Sequence, residues 1–129
     1  MRLRVVVVAA TLAASACQTW APTWSEVTGW DFVLGLSADQ SDIDIVRVDD
    51  QSVGMGRRGP GVHAFKLTPG RHRVEVGRGP ALRDRKFLVV EFAPCRRYYI
   101  VRQFASPTDH DDWTPVVARI ETISGCRLP

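Results

Sequence analysis

The fold that the sequence predicts is a single small all-β domain: a sandwich of about seven antiparallel strands, Ig-like in plan, with one disulfide. Three observations predict it. From residue 42 onward, short stretches rich in Val, Ile, Tyr and Phe alternate with Gly, Pro, Asp and Ser clusters, at the roughly 8–12-residue spacing of sandwich strands. Several of these stretches alternate apolar and polar side chains with a period of two, the mark of a half-buried strand. After the first sixteen residues, no helical pattern runs long enough to compete. Of the 129 residues, those left after a leader is removed suffice for one hydrophobic core and are too few for two.

The chain opens "MRLRVVVVAATLAASAC". Arg2 and Arg4, then an apolar run from Val5, then Ala13–Ala16, form the three-part layout of an export signal over residues 1–16. The apolar run is about half the length needed to span a bilayer as a helix. "Ala14-Ser15-Ala16" fits ordinary signal cleavage, and a soluble periplasmic protein would follow. The next residue, however, is Cys17, and the stretch resembles the lipobox of bacterial lipoproteins, with Ala14 where Leu is usual. That resemblance implies a diacylglyceryl group on the Cys17 thiol, an acyl chain such as palmitate on the new amino terminus, and membrane attachment through that lipid. Gln18 in place of Asp points by the same resemblance to the outer membrane, facing the periplasm.

With Cys17 lipidated, Cys95 and Cys126 remain as an even pair, and an oxidising periplasm lets them bridge. No C-x-x-C is present, which removes a thioredoxin-like role. Loss of residues 1–16 takes Arg2 and Arg4 and no acid, leaving 15 basic against 14 acidic side chains. A balance that even gives no case for nucleic-acid binding, which needs a concentrated basic face.

Residues 17–41 are expected to form a lipid-anchored tether. Trp20, Trp24, Trp30 and Phe32 make it too aromatic for a solvated spacer, so part of it should rest on the domain, which is placed at 42–129. "SEVTGWDF" reads as either a helical turn or a strand. "DIDIVRVDD" is a strand ending in an acidic turn at Asp49-Asp50. "VHAFKL" and "RHRVEV" flank "TPG", where Pro69 presets a turn and Gly70 tolerates positive φ; the second stretch is expected to return as the partner of the first. In it His72, Val74 and Val76 share one face, and Arg71, Arg73 and Glu75 the other. "KFLVVEF" is the most apolar stretch and is expected at the centre of a sheet. "RYYIVRQF" runs back after "APC", "ASPTDHDD" is a polar loop, and "WTPVVARIETI" closes the sheet with Val116, Ala118 and Ile120 on one face. Pro115 cannot donate to a ladder, so that strand belongs at an edge.

Several clusters could carry chemistry. Asp109, His110, Asp111 and Asp112 are the densest group of ligand types for a hard cation, but neighbours on an extended chain alternate faces, and a solvated loop without metal is the expectation. Asp39, Asp42, Asp44, Asp49 and Asp50 read the same way. His63 and His72 would face each other across the Pro69-Gly70 turn, as partly buried structural histidines or, with a third ligand, a zinc site. Arg71, Arg73, Arg78, Arg83, Arg85 and Lys86 fall within sixteen residues. Arg71, Arg73, Arg83 and Arg85, with Tyr99, form the expected ligand or partner surface, suited to an envelope protein or to anionic lipid; the bland alternative is a charged face balanced by Glu75 and Asp84. Tyr98 and Tyr99 point to opposite faces of one strand, so one is expected in the core and the other exposed for stacking. No G-x-S-x-G, H-E-x-x-H or close Cys–His pair is present, and no catalytic residue or cofactor is expected.

"FKLTPGRHRVEV" resembles the L-x-P-G-x-H-x-V-x-V hairpin of PEGA-type surface domains. "WSEVTGW", "VRVDDQS", "APCRRYYI" and "IETISGC" together resemble an uncharacterised family of proteobacterial lipoproteins, which pair a W-S-E-(L/V)-T-G start with P-C-x-R-Y-Y and a closing E-x-I-x-G-C. The family's V-D-G turn is Val48-Asp49-Asp50 here. The resemblance implies the lipid anchor, the Cys95–Cys126 bridge and a β-sandwich, and it brings no activity. The resulting expectation is a non-catalytic binding or assembly module in the bacterial envelope. A structural lipoprotein without a specific ligand and an envelope enzyme with an unrecognised site are the alternatives.

Overall fold

The computed structural model describes residues 23–29, 36–53, 64–77 and 84–129. The signal segment, Cys17, Trp20, Trp30, Phe32, His63, Arg78 and Arg83 lie outside the described residues. Among the described residues nine strands follow one another: β1 (Ser25–Thr28), β2 (Gln40–Ser41), β3 (Asp44–Val48), β4 (Gln51–Ser52), β5 (Phe65–Leu67), β6 (Gly70–Gly77), β7 (Lys86–Phe92), β8 (Arg96–Ser106) and β9 (Asp109–Thr122). They form two sheets, as the predicted small sandwich requires. One is built around β8, which pairs β9 on one side and both β1 and β2 on the other, with β5 outside β1; the second runs β4-β3-β6-β7.

The core lies between the sheets. Val27, Leu67, Tyr98, Ile100, Phe104 and Trp113 from the first meet Val48, Val74, Val76, Val90 and Phe92 from the second. Alternation accounts for this set. Along β6, Val74 and Val76 are fully buried while Arg71 and Arg73 on the opposite face are exposed. His72 closes the apolar row, its ring edge-on to Phe92 at 5.8 Å.

Several expectations change. Ser25–Thr28 is a buried strand and Gln40–Ser41 joins β8, so the sandwich takes in parts of the expected 17–41 tether. The alternative between helix and strand at "SEVT" resolves to a strand because its neighbours supply ladders on both sides. β1 runs parallel to β8, a departure from an all-antiparallel plan, and antiparallel to β5. "FKL" and "RHRVEV" do not form a hairpin. β5 pairs β1 in the first sheet, β6 pairs β3 and β7 in the second, and the chain crosses between layers at Thr68-Pro69. Gly70 has φ +120 there, a backbone open to glycine but strained for other residues. β7, expected at the centre, is an edge strand among the described residues. β9 is an edge strand as Pro115 implies, but its register shifts near Ala118. Val117, rather than Val116 or Ala118, therefore packs on the core. The acidic stretch 109–112 is the first part of β9 rather than a loop.

Cys95 and Cys126 are bonded, with Cα atoms 5.4 Å apart. The bridge gathers three chain segments. The Cys95 N–H donates to the Trp24 carbonyl at 2.9 Å, and the Cys95 carbonyl accepts from the Ile123 N–H at 3.0 Å. Cys95 itself sits at φ +58.

Candidate functional site

The outer face of the second sheet carries the predicted basic surface. Arg71, Arg73 and Glu75 of β6 stand opposite Glu91, Val89 and Phe87 of β7, and Arg47 of β3 stands opposite Glu75. Glu75 is buried, with Arg85 3.3 Å and Arg47 3.9 Å from its carboxylate. Arg85, itself exposed, thus spends its charge on the Glu75 carboxylate. Arg71 and Arg73 make no ion pair among the described residues. The Arg73 guanidinium lies 3.8 Å over the Phe87 ring, a geometry in which the ring face attracts the cation. Phe87 and Val89 are 50% and 53% exposed. Sequence reasoning missed them as surface residues because an apolar run looks the same whether its second face is covered or open. Lys86 turns the other way: its ammonium donates to the Trp113 carbonyl and lies 4.4 Å from that indole ring.

Tyr99 does not join this surface. It is 2% exposed, and Tyr98 is buried too. Sheet alternation does place them on opposite faces, but both faces of β8 are covered at this point. Tyr99 belongs to a polar network on the far face of the first sheet. Glu26 of β1 accepts from Arg97 Nε at 2.6 Å and from Trp24 Nε1 at 2.9 Å. Arg97 Nη1 donates to Glu121 at 2.7 Å, and the Tyr99 hydroxyl donates to the same Glu121 oxygen at 3.0 Å. Arg119 adds a second cation to Glu121 at 3.2 Å. Burial disfavours the Arg97 charge, but hydrogen bonds to Tyr99 and Glu26 and the Glu26 charge outweigh it and hold the guanidinium more firmly protonated. Burial, with the bond to Glu121, pushes the Tyr99 phenol up against the opposing pull of Arg97. The three sequence elements "WSE", "CRRYY" and "IET" each contribute to this cluster. Their convergence was invisible in sequence because it depends on β1 and β9 flanking β8. The network is internally satisfied, and its chemistry is that of a clamp.

At the end of β6, Thr68, His72 and Asp49 line up as hydroxyl, imidazole and carboxylate. His72 Nδ1 is 2.7 Å from Asp49 Oδ2, and Thr68 Oγ1 is 3.3 Å from Nε2. The Nε2 atom lies closer, at 2.6 Å, to the Thr68 carbonyl oxygen. The Asp49 carboxylate and the Thr68 carbonyl are both acceptors, so each ring nitrogen faces an acceptor oxygen and Nε2 is not poised to remove a proton from the Thr68 hydroxyl. The His72 ring bond and the Arg73 N–H, which donates to Asp49 Oδ1 at 3.0 Å, hold the Asp49 carboxyl below its usual range. These contacts fix the β3–β4 turn, where Asp49 takes φ +53 without glycine.

The acidic residues do not converge. Asp109 Oδ1 accepts from the backbone N–H groups of Asp111 and Asp112, and His110 stacks on Phe104 at 4.2 Å. Asp39 spends its carboxylate on Ser37 and Gln103, whose hydrogen bonds lower its pKa. Among the described residues no three His, Cys, Asp or Glu side chains gather as a metal site.

Fold and surface together define a disulfide-stapled β-sandwich with one basic, apolar-tipped sheet face. No protein-family model matches the chain, and no curated protein or solved structure matches it.

Proposed function

We propose that this chain is a bacterial envelope lipoprotein, held at the outer membrane through lipid on Cys17, whose sandwich acts in the periplasm as a non-catalytic binding or assembly module. The observation that carries the binding reading is the β6–β7 face. Phe87 and Val89 are half exposed there, beside Arg71 and Arg73, which have no carboxylate partner among the described residues. Large apolar side chains next to uncompensated arginines are the composition of an interface centre. The pattern at residues 1–17 supports the anchor and the export that the disulfide needs.

The test has two parts. Intact mass of the protein from a membrane fraction, before and after reduction and alkylation, should show acyl mass on Cys17 and two thiols only after reduction. A photo-crosslinking residue at Val89 in living cells should give one dominant adduct, whereas a diffuse background there would sink the binding reading.

A further inference from the structure

We infer that β7 is a docking edge for an extended acidic segment of a partner protein, which adds as a further strand to the second sheet and sets its carboxylates against Arg71 and Arg73. The inference rests on the reading of this face as a partner surface, and it states what kind of segment binds and how.

The edge strands differ in how they are defended. A strand edge exposes backbone N–H and C=O groups, and proteins guard such edges with short length, proline, bulges or outward charge. β4 is two residues long and β5 three. β9 is long, but it carries Pro115 and two register irregularities, and it begins with three aspartates in four residues. β7 has only one of these devices, the outward charge of Glu91 near its end. It runs seven residues without proline, pairs β6 in unbroken register, and has no other strand partner among the described residues. Its central outward side chains are Phe87 and Val89. Lys86, which would ordinarily guard the edge, is turned inward onto Trp113.

The charge around β7 selects the occupant. Glu75 is neutralised by Arg47 and Arg85. That leaves Arg71 and Arg73 against the single carboxylate of Glu91, which stands opposite Arg71. An incoming strand with alternating side chains would set apolar groups beside Leu88 and Val90 on the core side, and acidic groups beside Phe87 and Val89, where Arg73, whose guanidinium already reaches across to the Phe87 ring, can meet them. A lipid surface fits less well. Backbone groups of an open edge have no partners in hydrocarbon, at a cost of several kcal/mol each, whereas a paired strand satisfies them. A second copy paired through β7 would bring, among the described residues, only Glu91 as an unpaired carboxylate to this face, fewer acids than an acidic segment offers.

The test uses the full-length protein with its disulfide intact and a fluorescent heptapeptide of alternating Val and Glu. Two further versions carry N-methyl groups on every Val nitrogen or on every Glu nitrogen. Strand addition predicts that one methylated peptide binds like the parent and the other loses about tenfold or more in affinity, because alternate N–H groups point to opposite edges. Amides of β7 should exchange more slowly when the peptide is bound. Replacing Glu by Lys in the peptide, or the double substitution Arg71→Glu/Arg73→Glu in the protein, should weaken binding by a similar factor. Equal binding of both methylated peptides, or protection that appears on β9 instead of β7, overturns the inference. So does self-association by sedimentation that Val89→Glu abolishes, which would make the occupant a second copy. Binding of phosphatidylglycerol vesicles through Arg71 and Arg73 with no protection of β7 amides would make it a membrane. A single cellular adduct at Val89 alongside failed peptide selectivity would leave the binding-module reading standing and remove strand addition alone.

Discussion

Replacing Glu26 with Gln is the sharpest perturbation of the polar network, because it removes a charge and keeps the shape. In the folded chain one carboxylate oxygen accepts from Arg97 Nε at 2.6 Å and the other from Trp24 Nε1 at 2.9 Å. A glutamine amide offers one acceptor oxygen and one NH₂ group. Whichever way it turns, one of the two donors then faces a donor. A buried donor without an acceptor costs about 1–3 kcal/mol, and a hydrogen bond to a charged group contributes about 1.5–3 kcal/mol. These figures overlap rather than add. Arg97 keeps Glu121 at 2.7 Å and about a fifth of its side chain in solvent, which holds the loss below the 3–5 kcal/mol of a fully buried broken pair. The expected loss for Glu26→Gln is about 2–3 kcal/mol, or about 10–20 °C in Tm for a domain of this size. Urea unfolding of the oxidised protein, followed by tryptophan fluorescence, should show a lower midpoint at unchanged slope. Adding Glu121→Gln should cost more than the sum of the single losses, since Arg97 then has no carboxylate in this network. A Glu26→Gln loss under about 0.5 kcal/mol, the level of an ordinary surface change, would refute the view that this clamp holds β1 to β8.

Three further outcomes are expected. Changing Cys95 and Cys126 together to Ser releases a 31-residue separation, and loop entropy sets the loss at about 3–4 kcal/mol; equal unfolding midpoints with and without reductant would contradict this. Gly29→Ala would put a Cβ 2.0 Å from the Ile43 carbonyl oxygen, at the point where the Gly29 carbonyl accepts from the Ile43 N–H. Backbone must move, and a destabilisation of about 2–4 kcal/mol should appear in thermal melts. Asp49 has a depressed folded-state pKa, so its charge contributes stability above its unfolded value of about 3.9 and loses it as pH falls through the folded value. Asp49→Asn tolerates the positive φ and keeps an acceptor for the Arg73 N–H. The gap between wild type and this variant should therefore be full above about pH 5 and narrow in acid, and a gap that stays constant down to about pH 2 would be inconsistent with the cause assigned.

The sequence by itself determined the class of fold, the alternation of faces within β6, the edge position of the strand with Pro115, and the Cys95–Cys126 pair. These are local or combinatorial properties. A period of two and a missing N–H are the same whatever lies next to them, and Cys95 and Cys126 are the two cysteines after the first seventeen residues. Neighbour relations were decided only by the tertiary structure. "FKL" and "RHRVEV" look like a hairpin because the turn between them is well made, yet the chain steps from one sheet to the other there, since each strand gains a different long-range partner. "KFLVVEF" looks central because apolar content predicts burial, but whether a further strand pairs along its outer edge is set by strand order, and among the described residues none does. Tyr99 is drawn inside for the complementary reason: Arg97, Arg119 and Glu121 gather around its phenol only once β9 has folded against β8. Side-chain direction is written along the chain, and the company each side chain keeps is set by strand order, which no short stretch of sequence contains.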